Sequence, residues 1–192
     1  MQSFDKDYYY RFYHDPDTQA VSEHEQQQLA DFIDAYLGYL QIPVTSILDL
    51  GCGLGTLLRA MGRNCPDATI TGVEYSQYLC EQYGWLNSSV DSYPGPPADL
   101  VICSDVLGYL DNQACALAID NLASLTRQAL YLAVLTKEDL ATCDRDRTDL
   151  TQITRSSRWY RNKLKPHFQA IGGGMFLKKP LKYPLWQLEM GQ

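Results

Sequence analysis

The 192-residue sequence contains no apolar run approaching the roughly 20 residues needed to cross a bilayer. Its opening, Met1-Gln2-Ser3-Phe4-Asp5-Lys6-Asp7, lacks the basic and apolar regions of a secretory leader. There is no Cys-x-x-Cys pair, since the six cysteines stand apart at positions 52, 65, 80, 103, 115 and 143. That excludes a zinc ribbon, and several of these cysteines sit in apolar runs as buried free thiols do, which points to a reduced, cytoplasmic setting. Histidine is scarce, with three in the chain, and no Asp/Asn/His grouping suggests a metal centre. Basic side chains are outnumbered, 16 Lys and Arg against 23 Asp and Glu. The net charge of −7 argues against a nucleic-acid backbone as the main partner, because affinity for phosphates comes largely from Lys and Arg. No repeat and no second domain is visible. The length suits one α/β domain over residues 1–192, present as a monomer or homodimer.

The charge is unevenly placed. Residues 1–136 hold 5 basic and 17 acidic side chains, whereas residues 137–192 hold 11 basic and 6 acidic ones. The basic C-terminal third is either a solvated face or a surface that draws in an anionic small molecule or an acidic protein.

What is present centres on ten residues, Ile47-Leu48-Asp49-Leu50-Gly51-Cys52-Gly53-Leu54-Gly55-Thr56. Ile47 to Leu50 reads as a buried strand bearing one carboxylate. Three glycines follow on alternate positions, and then come the helix formers Leu57, Leu58, Arg59, Ala60 and Met61. Strand, glycine turn and helix prepare a ligand site at the strand's carboxyl end in an open α/β sheet. A dinucleotide fingerprint, G-x-G-x-x-G, would need glycine where Thr56 stands, and Asp49 would repel a pyrophosphate. A cation carrying an ammonium group suits that carboxylate better.

The rest of the chain alternates strand and helix. Ser22-Glu23-His24-Glu25 is a capping box, and Leu29, Phe32, Ile33, Tyr36, Leu37 and Leu40 make one apolar helical stripe. Thr69 to Glu74 is a second strand ending in an acid, 19 residues past Gly55, near the distance at which an acid meets ribose hydroxyls in this layout. Ser76 opens a helix to Tyr83 that Gly84 stops. Trp85 to Ser89 is a weak third strand, and Asp99 to Cys103 a fourth. Asp111 or Asn112 caps the next helix, and Ala129 to Leu135 is an apolar fifth strand. Residues 136–154 form a charged connection without a clear period. Ser156 or Ser157 opens a short helix that ends at Pro166. Phe168 to Ile171 begins a sixth strand that Gly172-Gly173-Gly174 bulges, and Tyr183 to Leu188 makes a seventh.

The glycine stretch, Glu74 and the Asp99-Leu100-Val101-Ile102 strand together resemble motifs of the class I S-adenosylmethionine (SAM)-dependent methyltransferases, over nearly the whole chain. The resemblance implies a three-layer Rossmann-like fold, with a mostly parallel seven-stranded sheet and an antiparallel C-terminal strand. It divides the chain into an aromatic lid and helix (1–45), a cofactor-binding core (46–135) and an acceptor-side connection with a strand pair (136–192). It implies SAM as cofactor, held by Asp49, Gly51, Cys52 and Gly53, with Glu74 on the ribose and Tyr75 over the adenine. Ser89 and Val90 fall at the adenine edge, although an Asp is common where Ser89 stands, and Cys103 closes the fourth strand. In this family cofactor and substrate meet at the loop 104–110.

Class I enzymes share a cofactor site and differ in catalytic residues, so the resemblance names no base. Candidates on the acceptor side are His14, Asp105 and Tyr109, with Tyr13, Asp139, Asp144 and Asp149 beyond them. For His14 the alternative is a surface histidine, for Tyr109 simple packing, and for the 144–149 cluster a salt-bridged loop. Arg155, Arg158 and Arg161 either clamp a carboxylate or phosphate or form a solvated helix face. Cys103-Ser104-Asp105-Val106 stands where amine-methylating relatives carry Asn-Pro-Pro-Tyr, which argues against nucleobase and glutamine N-methylation. The expectation is methyl transfer to a small-molecule acceptor. The alternatives are a SAM-binding regulator without transfer activity and, third, a nicotinamide dehydrogenase.

Overall fold

A computed structural model describes residues 21–186; Tyr13, His14 and the rest of the aromatic segment lie outside the described residues, as do residues 187–192. The chain runs α1 (Glu23–Tyr39), β1 (Ser46–Leu50), α2 (Thr56–Asn64), β2 (Thr69–Glu74), α3 (Gln77–Tyr83), β3 (Leu86–Asn87) and β4 (Ala98–Ser104). It continues through α4 (Asn112–Leu125), β5 (Thr126–Ala133), α5 (Ser157–Leu164), β6 (Phe168–Gly172) and β7 (Met175–Lys178).

The seven strands form one sheet in the order β3-β2-β1-β4-β5-β7-β6. All pairs from β3 to β5 are parallel, and β7 runs antiparallel to both β5 and β6. The connection changes direction between β1 and β4, which leaves a crevice outside their carboxyl ends. Alternation along β1 divides the core. Leu48 and Leu50 pack with Val101, Cys103 and residues of α4 and α5, while Ile47 packs with Leu100, Ile102 and residues of α1 and α2. Helices thus cover both faces, giving the three-layer architecture the motifs implied.

Local chemistry sets the element ends. The Ser22 hydroxyl accepts the Glu25 N–H and the Glu25 carboxylate accepts the Ser22 N–H, so the capping box is formed. Ile33 and Leu37 of α1 are buried, each contributing about 2 kcal/mol. Asp111 caps α4 through the N–H groups of Gln113 and Ala114. At the opposite end of the sheet from the crevice, Asp99 pins three strands. Its carboxylate accepts from Thr45 N–H, Thr45 Oγ1 and Ser46 Oγ and lies 3.4 Å from Arg127. Burial raises its carboxyl, but these four partners together hold it below the usual range.

Several expectations are corrected. Among the described residues the last strand is Met175–Lys178; of the expected strand Tyr183 to Leu188, residues 183–186 form none and 187–188 lie outside the described residues. The register of β6 on β7 shifts between Ala170 and Gly172, where a bulge was expected, and Gly173 and Gly174 turn the β6–β7 hairpin. The fifth strand begins at Thr126, directly after α4, with no loop between them. The third is shorter than expected, at two residues.

Candidate functional site

The crevice is built from the end of β1 outward. Both Gly51 N–H and Cys52 N–H donate to Val73 O, at 2.8 and 3.1 Å, folding the chain over the end of β2. Gly51 has φ +82°, and a Cβ there would meet Val106 Cγ2 at 2.2 Å, so no side chain fits. Gly55 has φ +73°, and its Cβ would meet the Trp85 ring at 2.3 Å. Trp85 lies against the loop from behind and donates Nε1–H to Gly53 O at 3.0 Å.

Glu74, at the end of β2, is buried and carries the loop from the other side. Its carboxylate accepts Gly53 N–H at 2.9 Å and Ser76 N–H at 2.8 Å, fixing the glycine loop to the start of α3. Each oxygen keeps a lone pair for a further donor. Asp49 is 4% exposed and accepts no hydrogen bond among the described residues. Burial, and then the Glu74 charge, push its carboxyl up to about 8. An isolated carboxylate costs so much to bury that a cation or an ammonium donor is the partner such a site calls for.

A cavity of about 410 Å³ is lined by Asp49, Gly51, Cys52 and Gly53 on one side and Asp105 and Tyr109 on the other; Glu74 stands behind the loop and does not line it. Asp105 follows β4 with φ +57°. Its carboxylate faces the cavity, takes a hydrogen bond only from Ser104 Oγ among the described residues, and is raised by the protein around it. Gln26 and Gln152 also line the cavity, and the Oε1 atom of each is buried without a hydrogen-bond partner among the described residues. The cavity therefore presents acceptors and negative charge. It suits a ligand rich in hydrogen-bond donors and positive charge, and offers a pyrophosphate little.

The connection 136–154 forms the far wall. Ile153 N–H donates to Gly108 O at 2.7 Å, Tyr109 Oη–H donates to Asp149 Oδ2 at 2.9 Å and Gln152 Nε2–H donates to Tyr109 Oη at 3.3 Å. Asp139 accepts from Thr136 N–H and Oγ1. Asp144 accepts Asp146 N–H and Asp149 accepts Thr151 N–H, so these acids bend the backbone of the connection.

The remaining predicted positions lie apart from this cavity. Tyr75 is 58% exposed just beyond β2. Ser89 is half-buried, whereas Val90 is in the core and its carbonyl accepts from Asn121 Nδ2. Cys103 is fully buried among α4 residues, and burial pushes its thiol, like that of Cys52, above the usual range. Among the described residues no group of three His, Cys, Asp or Glu side chains is placed to hold a metal.

A family profile described as a methyltransferase domain matches residues 21–169, more than three quarters of the chain. The chain belongs to this family. It is a SAM-dependent methyltransferase of the class I fold. No curated protein sequence matched it. Among solved structures it is similar to the magnesium protoporphyrin IX methyltransferase ChlM of Synechocystis PCC 6803 with bound SAM, at 18% identity over 90% of each chain and a TM-score of 0.64. It is also similar to the plantazolicin methyltransferase BpumL, at 16% identity over 82% of this chain and 72% of that one, with a TM-score of 0.60. To DesVI of Streptomyces venezuelae it is 17% identical over 59% of its length, spanning 52% of that chain, with a TM-score of 0.51. At these identities the likeness is one of fold.

For this methyltransferase, three parts of the site escaped the sequence reading. Trp85, expected to start a strand, instead backs the glycine loop, and Gly72, a glycine inside β2, is the signal that something approaches closely: a Cβ there would meet Trp85 at 2.6 Å. Gln26 and Gln152 gave no signal, because nothing local tells a cavity glutamine from a surface one. Arg155 is the third. It neither clamps a ligand nor faces solvent: at 5% exposure it donates to Leu107 O, Leu110 O, Ile153 O, Asn112 Oδ1 and Tyr160 Oη, and it stacks on Trp159. It holds the loop after β4 in place.

Proposed function

We propose that the cavity takes the methionine end of SAM, with Asp49 receiving its ammonium group, and that a small-molecule acceptor enters beside Asp105 and Tyr109. The observation that supports this reading is the buried Asp49 carboxylate without a hydrogen-bond partner, at the foot of a glycine loop whose N–H and C=O groups are already fixed by Val73, Glu74 and Trp85. SAM brings the reactive methyl group, so the protein's work is to bind, orient and exclude water. Glu74 is oriented by two backbone N–H groups and keeps lone pairs for ribose hydroxyls. Its replacement by Ala frees Gly53 and Ser76 N–H as well, and is expected to weaken S-adenosylhomocysteine binding at least tenfold, about 1.4 kcal/mol, in calorimetric titration. Unchanged binding would remove Glu74 from the site.

A regulator that binds SAM without transferring its methyl needs no room beside the sulfonium. A cavity of about 410 Å³ that continues past Asp105 and Tyr109 favours an enzyme. The neighbours' acceptors, a magnesium porphyrin for ChlM and azole-containing plantazolicin analogues for BpumL, lend weight to a small-molecule or peptide-derived acceptor here. A cytoplasmic location accords with six cysteines, none in a disulfide. No described helix is long and apolar enough to cross a membrane. The test is release of S-adenosylhomocysteine from SAM across a panel of small hydroxyl, carboxyl and amine acceptors. Turnover with one class that Asp49→Asn abolishes supports the reading; SAM binding with no turnover on any class favours the regulator.

A further inference from the structure

A second cavity of about 400 Å³ adjoins the first, and Ala133 at the end of β5 and Val134 just after it line both. It too lies outside the carboxyl edge of the sheet, where open α/β folds bind ligands. Its character is different. The floor is apolar, made by Leu132, Val134, Leu164 and Phe176, and the glycines of the β6–β7 hairpin close one end without side chains. Its charged lining residue is a cation, Arg161 on α5.

Arg161 has no carboxylate within salt-bridge distance among the described residues. Its Nε–H reaches Ser157 O at 3.4 Å and one Nη2–H reaches Ser157 Oγ at 2.7 Å, which leaves three of the guanidinium's five N–H donors for a ligand. The carboxylate of Glu138 is engaged at 2.9 Å by the N–H of Ser157. Burial does not silence the arginine, since the side chain is exposed at the cavity mouth. The two cavities are thus electrically opposite. The first gathers Asp49, Asp105, Asp139 and Asp149 against Arg147, while the second joins apolar walls to an unpaired guanidinium.

We propose that the second cavity anchors the methyl acceptor, and that the acceptor carries an apolar body and one anionic group that Arg161 holds. The inference rests on the methyl-transfer reading and adds the acceptor's chemical class to it. The acceptor's body then occupies the second cavity, and its nucleophilic end passes Ala133 and Val134 into the acid-lined first cavity, where the donor's cationic end belongs. Arginine suits the task because its planar fork meets a carboxylate or sulfonate with two parallel hydrogen bonds.

The test uses the full chain with and without saturating S-adenosylhomocysteine. The probes are 8-anilinonaphthalene-1-sulfonate, an apolar anion, and its uncharged counterpart N-phenyl-1-naphthylamine, both followed by fluorescence. The sulfonate is expected to bind at one site in the presence of S-adenosylhomocysteine. Arg161→Gln is expected to weaken it about tenfold while leaving the uncharged probe and S-adenosylhomocysteine binding unchanged. Ser157→Trp, which fills the mouth, is expected to exclude both probes and leave S-adenosylhomocysteine binding intact. Displacement of the sulfonate by S-adenosylhomocysteine, equal affinity in Arg161→Gln, or no single-site binding overturns the proposal. A wild-type chain that fails to bind S-adenosylhomocysteine overturns the methyl-transfer reading instead, and the probe titrations still report on the second cavity.

Discussion

Asp49→Asn is expected to weaken SAM binding at least tenfold at neutral pH, about 1.4 kcal/mol, and to flatten its dependence on pH. The Asp49 carboxyl of the empty protein titrates near 8, because burial first and the Glu74 charge second disfavour the anion. At pH 7 it is mostly protonated. A bound ammonium and sulfonium favour the ionised form, so binding releases a proton and affinity rises with pH until about 8, where it levels. The sign for stability is the reverse: an acid whose folded-state pKa lies above its unfolded value, 3.8 against about 8, destabilises the empty chain progressively as pH rises between them. Calorimetry at pH 6, 7, 8 and 9 in two buffers of different ionisation enthalpy reads the proton directly. Wild type is expected to release one below pH 8 and Asp49→Asn none. An Asn variant that binds as wild type does, with the same pH slope, removes Asp49 from the donor site.

The second large effect is on stability. Arg155→Met keeps much of the apolar volume of the side chain but deletes its donors, leaving the carbonyls of Leu107, Leu110 and Ile153 and the amide of Asn112 without them. Orphaned buried acceptors cost about 1–3 kcal/mol each before relaxation. At about 2–4 °C per kcal/mol for a chain of this size, the melting midpoint is expected to fall by roughly 10 °C. Arg158→Met, at an exposed position of α5 three residues on, is the control and is expected to change stability by less than about 0.5 kcal/mol. The two variants are compared by thermal unfolding followed by circular dichroism. Equal midpoints would show that Arg155 does not carry the loop after β4. Because that loop holds Asp105 and Tyr109, Arg155→Met is also expected to lower turnover more than SAM affinity.

Much of this architecture is written locally. The glycine loop is legible because positive φ and the close approach of Val106 admit no other residue, and Glu74 because a strand that ends in an acid at that interval has few other uses. The Ser22 and Asp111 caps are legible for the same reason, each being chemistry within three residues of itself. What escaped is long-range. Gly173 and Gly174 look like a bulge until the strand after them finds β5, a pairing between residues more than 40 apart in sequence. Arg155 looks like one of three surface arginines until the loop 107–110 closes over it. Trp85 looks like a strand residue until Gly55 and Gly72 are seen to make room for it. The sequence carries the cofactor half of the site in a contiguous motif and scatters the acceptor half over β4, β5, the 136–154 connection and α5.

The central claim is that this glycine loop holds an adenosyl cation and not a dinucleotide. Calorimetric titration of the full chain, freed of bound ligand, with SAM, S-adenosylhomocysteine and NAD tests it most directly. The account predicts micromolar binding of the two adenosyl ligands and none of NAD. Binding of NAD, or silence from both adenosyl ligands, would contradict it.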